Sequence, residues 1–331
     1  MEVVHVNRKP RKYGNYSIEG FYKKIREALK EEIDFKVVEC PFESNGIFKR
    51  LSNAIFATFK QGKINHITGD VNYLNMFFRK NKNIITVLDC GLLYDTKGLV
   101  NQFYKFFWFT LPINRAKYVV AISQATKEEI LKFVKCNPDK IIPIHVSVSD
   151  KFKRVDKPFN KKKPIILYIG SAPNKNLNRL IRALEGINCK LDIVGTITQD
   201  ELELLSNIKV DFNKSYGLTD DEIIKKYEEC DILSLVSTYE GFGMPIIEAN
   251  AVGRPVITSN LLSMPEVAGN AACIVDPYNI AEIRNGIIRI INDDEYRNDL
   301  IEKGFENAKR FDATYISSMY YNLYKHLLNK K

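Results

Sequence analysis

Residues 237–255 read STYEGFGMPIIEANAVGRP and directly follow the apolar run Ile232–Val236. The run predicts a buried strand, and Gly241 and Gly243 predict a turn after it. Pro245 suits the first turn of a helix, where a missing N–H costs nothing, and Gly253 before Pro255 ends that helix. Strand, glycine turn and helix in this order make a ligand-binding junction. The glycines let the backbone approach a ligand closely, and the unpaired N–H groups at a helix start favour an anion. Glu240 stands before the helix and Glu248 within it. Carboxylates accept hydrogen bonds from hydroxyls, so an anion that carries sugar and ribose hydroxyls fits the junction. The plain alternative is a solvated acidic pair favoured by the helix dipole alone.

Outward from this stretch the same rhythm fills the chain. Val3–Val6, Lys36–Val38, Ile64–Thr68, Ile84–Leu88, Tyr118–Ile122 and Ile141–His145 read as strands, with helical stretches such as Ser17–Lys30 and Ala125–Val134 between them. A second series follows: Ile165–Ile169, Leu191–Val194, Ile208–Phe212, Ile232–Val236, Pro255–Thr258 and Ala272–Val275. Near-continuous Val/Ile/Leu runs mark strands covered on both faces, as in parallel sheets. The fold class is therefore α/β, twice over, which 331 residues accommodate as two domains. The polar, proline-punctuated stretch Ser149–Pro164 predicts the linker, and an apolar stripe through Ile316, Tyr320, Leu323 and Leu327 predicts a closing helix.

Within this frame the sequence resembles the large GT4 family of retaining glycosyltransferases, of the GT-B fold. The resemblance rests on EGFGMPIIEA with its Glu240-x7-Glu248 pair and on GRPVITSNLLSMPEVAGNAACIVDP after it. It extends to LYIGSAPNKNLNRLIRAL (167–184), LDIVG (191–195), YGLTDDEIIKKYEECDILSLVS (216–237) and, more loosely, AKYVVAISQATKEEI (116–130). It implies two facing Rossmann-like domains with parallel sheets: an acceptor-side domain over 1–152 with the helix 314–331 packed back on it, and a nucleotide-sugar-binding domain over 153–313.

The implied roles attach to residues one by one. Glu248 would accept the donor's ribose hydroxyls, and Glu240 would face the transferred sugar beside the backbone of Gly241 and Phe242. Gly243, Met244 and Pro245 would bring the helix start to the diphosphate, which Lys175 would neutralise near Gly170 and Ser171. Tyr216, Gly217 and Leu218 would lie near the nucleotide base. On the acceptor side, Asp89 at a strand end is a catalytic candidate, with Gly14, Asn15, His66 and Asp70 around it. Two departures stand out: Asn174 and Ser171 occupy places where the family often has an arginine, leaving Arg179 and Arg254 as substitutes, and Leu88 replaces a histidine that commonly precedes the aspartate.

The implied reaction is transfer of a hexose from a nucleotide diphosphate sugar to a hydroxyl of a saccharide or lipid-linked saccharide in surface polysaccharide synthesis, with retention. The alternatives are an epimerase or phosphorylase with a similar donor pocket, and a non-catalytic sugar-nucleotide binder. No Asp-x-Asp pair sits at a strand end, so neither a metal nor another cofactor is expected in the donor site.

Charge and cysteine usage narrow the setting. Residues 1–150 carry 24 Lys and Arg against 15 Asp and Glu, whereas residues 151–331 carry 25 of each. The basic half suits something anionic, such as a phospholipid surface or a lipid diphosphate. Nucleic acid is disfavoured, because no helix-turn-helix, RNP or zinc pattern accompanies the charge. A nicotinamide dehydrogenase is disfavoured too, since no GxGxxG follows the first strand. Six scattered cysteines without a CxxC point to a reducing, cytoplasmic compartment, and no stretch approaches the ~20 apolar residues that span a bilayer. The aromatic segment FYKFFWFTLPI (103–113) reads as core or as an interfacial patch, so a peripheral contact at the inner membrane face stays open.

Overall fold

The computed structural model describes residues 1–9 and 17–329. Gly14 and Asn15 lie outside the described residues. The chain divides into two units, Met1–Ser147 with Ala313–Lys331, and Val148–Asp312.

In the first unit the strands are β1 (Glu2–Asn7), β2 (Asp34–Glu39), β3 (Ile64–Thr68), β4 (Asn83–Val87), β5 (Tyr118–Ala121) and β6 (Ile141–Pro143). They form one parallel sheet in the order β2-β1-β3-β4-β5-β6. β3 and β4 are buried at every residue, their polar Asn65, His66, Thr68, Asn83 and Thr86 included, whereas the edge strand β2 is mostly exposed. The crossovers are α1 (Ser17–Ala28), α2 (Ile47–Thr58), α3 (Leu92–Asp95), α4 (Gly98–Tyr104), a π-helical turn (Lys105–Thr110), α5 (Leu111–Arg115) and α6 (Gln124–Phe133). Strand order reverses between β1 and β3, and in open α/β sheets a ligand crevice forms at such a reversal, beyond the strands' carboxyl ends.

The second unit repeats the plan with β7 (Ile165–Ile169), α7 (Leu177–Ala183), β8 (Lys190–Val194), α8 (Gln199–Asn207), β9 (Asp211–Ser215), α9 (Asp220–Glu229), β10 (Ile232–Leu235), α10 (Met244–Val252), β11 (Val256–Ser259), α11 (Ser263–Ala268), β12 (Cys273–Val275), α12 (Ile280–Asn292) and α13 (Asp294–Lys309). Its parallel sheet runs β12-β11-β10-β7-β8-β9, with the reversal between β7 and β10. Capping boxes Thr198/Glu201 and Thr219/Glu222 start α8 and α9.

Two sequence readings shift. The strand expected at Ile208–Phe212 begins at Asp211, because Lys209 turns through φ 57° and Val210 tucks into the core, leaving a polar edge strand. The stretch expected as a linker is a strap on the second unit. Val155 N donates to the Val252 carbonyl at 3.2 Å, and the buried Asp231 carboxylate takes hydrogen bonds from Asn160 N at 3.1 Å and Ile165 N at 2.8 Å.

The last helix, α14 (Ala313–Asn329), packs against α1 in the first unit and buries Ile316, Tyr320, Leu323, Tyr324 and Leu327. Under it, His5 on β1 and His66 on β3 sit side by side in register. The Tyr324 hydroxyl lies 3.0 Å from His5 Nε2 and 2.7 Å from His66 Nδ1, and His66 Nε2 lies 2.8 Å from Thr86 Oγ1. A neutral ring has one donor and one acceptor, so His66 is satisfied without a proton to spare. Burial pushes its pKa down to about 3 and holds that of His5 well below the usual range.

These shifts set a pH dependence. The unfolded chain binds protons below its ordinary histidine pKa of about 6.5 while the native rings stay neutral, so stability is present above that pH and falls as pH drops through it. Each histidine contributes about 1.4 kcal/mol per pH unit over that descent. The sole tryptophan, Trp108, belongs to this unit, so its fluorescence reports this transition. Its thermal midpoint is expected to fall by several degrees between pH 7 and pH 5; an unchanged midpoint would contradict a neutral buried pair.

Candidate functional site

In the second unit the loops after β7 and β10 meet at the strand-order reversal. Gly170 follows β7 at φ +141°, and a Cβ there would lie 2.6 Å from Lys175 Cγ. Glycine is therefore what lets the Lys175 stem cross this spot. Lys175 closes a 3₁₀ turn (Pro173–Lys175), and the next residue, Asn176, adopts φ 66° and anchors the loop. Its Nδ2 donates to the carbonyls of Val236 and Pro277 at 2.9 and 2.7 Å. The neighbouring Asn174 staples the two loops: its Nδ2 donates to the Tyr239 carbonyl at 2.7 Å, and its own carbonyl accepts from Thr238 N at 2.8 Å. So Asn174, at a place where the resemblance leads one to expect an arginine, holds the loop geometry.

This framework brings Lys175 and Glu240 into contact. Lys175 Nζ lies 2.7 Å from Glu240 Oε1, and the Ser237 hydroxyl donates to the same oxygen at 2.7 Å. Both side chains are mostly but not fully covered. The turn that follows is held by Ser263, whose hydroxyl lies 2.9 and 2.8 Å from the carbonyl oxygens of Glu240 and Phe242. Gly243 then starts α10 at φ +103°, with no side chain capping the helix. Met244 and Pro245 form its first turn, so the positive end of the helix stands beside an ion pair that carries the only local cation of the loop after β7.

Glu248 lies on α10 and accepts a hydrogen bond from the Tyr227 hydroxyl at 2.5 Å. The protein packed around it withholds water and pushes its carboxyl up to about 7, against opposing pulls from Tyr227 and the Lys175 charge. The remaining expected donor residues lie in the loops after β7 and β9. Ser171 accepts a hydrogen bond from Thr196 N at 2.8 Å, tying its loop to the one after β8. Tyr216 is 70% exposed after β9, with Gly217 at φ 69° leading through Leu218 into the cap of α9. Two expected substitutes for the missing arginine turn out differently. Arg254 is buried and donates to the carbonyls of Tyr227, Glu228 and Val155, so it is a structural group. Arg179 is held by Asn176 Oδ1 at 2.9 Å and lies over the Tyr278 ring.

The first unit holds a cavity of about 680 Å³ where its strand order reverses. Asp70, Leu88 and Asp89 line it, each just beyond the carboxyl end of β3 or β4. Asp89 also caps the turn into α3 by accepting from Gly91 N at 2.8 Å. His66 is a correction: fully buried in the tyrosine network under α14, it does not line this cavity. Sequence reasoning missed Arg50, Asn72 and Trp108, which do. The Trp108 indole N–H and the Asn72 side-chain oxygen Oδ1 are buried there without a hydrogen-bond partner among the described residues. Buried polar atoms are seldom left so, and a hydroxyl-bearing ligand would satisfy them. Among the described residues no group of three or more His, Cys, Asp or Glu side chains is arranged to hold a metal.

Residues 149–307 match the family model described as "Glycosyl transferases group 1". The serotype-specific mannosyltransferase WbdA of Escherichia coli is 23% identical over 75% of this chain and 36% of its own length. The O-antigen chain mannosyltransferase RfbU of Salmonella typhimurium is 26% identical over 70% of this chain and 69% of its own. The chain thus spans little more than a third of the first curated relative. Among solved structures, Anabaena HepE in complex with UDP-glucose superposes with a TM-score of 0.80 over 98% of this chain and 100% of that one, at 15% identity. The architecture is the GT-B fold, with one Rossmann-like domain in each unit.

Proposed function

We propose, from the match of residues 149–307 to the family model described as "Glycosyl transferases group 1", that this chain transfers a hexosyl group from a nucleotide diphosphate sugar to a hydroxyl acceptor with retention. The observation that carries this reading is the Lys175–Glu240 pair, set across the β7/β10 reversal beside the uncapped start of α10.

As the bond from the anomeric carbon to the phosphate oxygen breaks, the departing diphosphate gains negative charge. Lys175 and the amino end of α10 stabilise that charge, already oriented before the reaction begins. The charge thus comes from the protein, and transfer is expected to persist in excess EDTA. Glu240 holds hydroxyls of the moving sugar, and Glu248 those of the ribose. The acceptor oxygen bonds to the anomeric carbon on the face the phosphate leaves, and its proton passes to the leaving phosphate oxygen. No side-chain base is needed, only alignment. Asp70, Asp89 and the orphaned Trp108 and Asn72 atoms offer the partners a saccharide acceptor needs. WbdA and RfbU make surface polysaccharide synthesis, with a saccharide or lipid-linked saccharide acceptor, the favoured setting. Six cysteines without disulfides suit the cytoplasm.

The test is to incubate the chain with radiolabelled UDP-, GDP-, dTDP- and ADP-sugars and a bacterial saccharide or lipid-linked acceptor fraction. Label should enter the acceptor in the donor's anomeric configuration. Label found only in free sugar or in an isomerised nucleotide sugar would replace transfer with hydrolysis or epimerisation.

Glu248 adds a pH signature. Its ionised form accepts two hydroxyls, and with its pKa near 7 that form grows as pH rises from about 6 to about 8. Donor affinity is expected to rise about tenfold over that interval. Glu248→Gln should abolish the slope; an unaltered slope would remove Glu248 from the ribose.

A further inference from the structure

The large apolar side chains of α2 face the wrong way for a core helix. Asn53, Ala54 and Ala57 are its buried residues, while Phe48 is 86% exposed, Ile55 is 48% exposed and the C-cap Phe59 is 82% exposed. An amphipathic helix of a globular domain turns its bulkiest apolar residues inward. Phe48, Ile55 and Phe59 recur at helical spacing, so they form one outward stripe. Nearby, α4 buries none of its residues, and Leu99, at 83% exposure, leads the apolar side chains it presents. The aromatic segment that follows divides: Phe103 and Phe106 face outward, whereas Trp108, Phe109 and Ile113 join the core.

The two exposed elements adjoin. The Arg50 guanidinium of α2 lies 4.6 Å from the Trp108 ring centroid and 5.7 Å from that of Tyr104 at the end of α4. Their charge is of one sign. No Asp or Glu occurs between Glu43 and Asp70 or between Asp95 and Glu128, and Lys49, Lys60, Lys63, Lys97 and Lys105 are all exposed.

We propose that the outer faces of α2 and α4 dock this chain onto an anionic phospholipid bilayer. The phenylalanines and leucine enter the acyl boundary and the lysines meet lipid phosphates, the arrangement by which amphipathic helices lie in a membrane interface. Charge complementarity favours this occupant over a second copy of the chain, which would bring the same lysines together. Arg50, Tyr104 and Trp108 also line the first unit's cavity, so docking brings a lipid-linked acceptor's headgroup to residues already present there. The docking surface itself does not rest on the transfer reading.

The test is flotation of the full chain with vesicles of phosphatidylcholine alone or of equal parts phosphatidylcholine and phosphatidylglycerol. The chain is expected to float with the anionic vesicles and less so at high salt. The triple variant Phe48→Ser/Phe59→Ser/Leu99→Ser should lose binding at least about tenfold, as removing buried apolar side chains from an interface does. Its circular dichroism and nucleotide diphosphate sugar binding should be unchanged, which keeps the donor site's fate separate. A chain that stays at the bottom of the gradient, or a variant that floats like the parent, overturns the proposal. So does a parent dimer that the same substitutions render monomeric, since that assigns the stripe to a self-interface.

Discussion

Replacing Lys175 with alanine is expected to weaken binding of a nucleotide diphosphate sugar by about 10- to 100-fold, the worth of one or two charge-assisted hydrogen bonds in a partly dry site. Lys175 reaches Glu240 only because Gly170 leaves room for its stem, and no other cation in the loop after β7 duplicates it. Arg179 is engaged by Asn176, and Arg254 is committed to backbone carbonyls. Lys175→Arg should recover little, since the bulkier guanidinium must pass the same narrow crossing and cannot act as a compact point charge. Calorimetric titration with the donor that gives turnover decides the matter. An unchanged dissociation constant for Lys175→Ala would place the diphosphate away from this loop.

The second large effect is expected at Glu240, in turnover. Glu240→Gln keeps the shape and the hydrogen bond from Ser237 but removes the charge that faces Lys175. The freed lysine then meets the diphosphate undiminished, so donor affinity is expected to hold or tighten. The sugar loses a carboxylate partner that matters most as charge develops at its ring, and kcat is expected to fall by about 100-fold. Loss of donor affinity with intact kcat would exchange the two assignments.

Much of this was legible in the sequence for local reasons. The apolar runs of β4 and β7 announce strands covered on both faces. The two-glycine turn before Pro245 announces a helix start available to an anion, and the E-x7-E spacing places two acids around it. What escaped is what strand order creates. Lys175 and Glu240 are 65 residues apart in sequence and touch because β7 and β10 are neighbours. In the sequence His66 groups with the acceptor-side residues around Asp89, but α14 returns Tyr324 from far along the chain to occupy it. Arg50 gives no motif, and Trp108 lies in an aromatic segment that reads as core or interface; the two meet by stacking across two helices. The outward stripe on α2 was hidden because its hydrophobicity reads equally as core until the buried face proves to be the alanine one.

Hydrogen exchange of the intact chain, with and without its donor nucleotide sugar, reads the location of the diphosphate directly. Binding at Lys175 and the start of α10 should slow exchange in residues 170–176 and 241–248 together, with smaller changes near Tyr216–Leu218. Protection confined to other segments, while those two stretches exchange as before, would contradict a diphosphate held at this helix end.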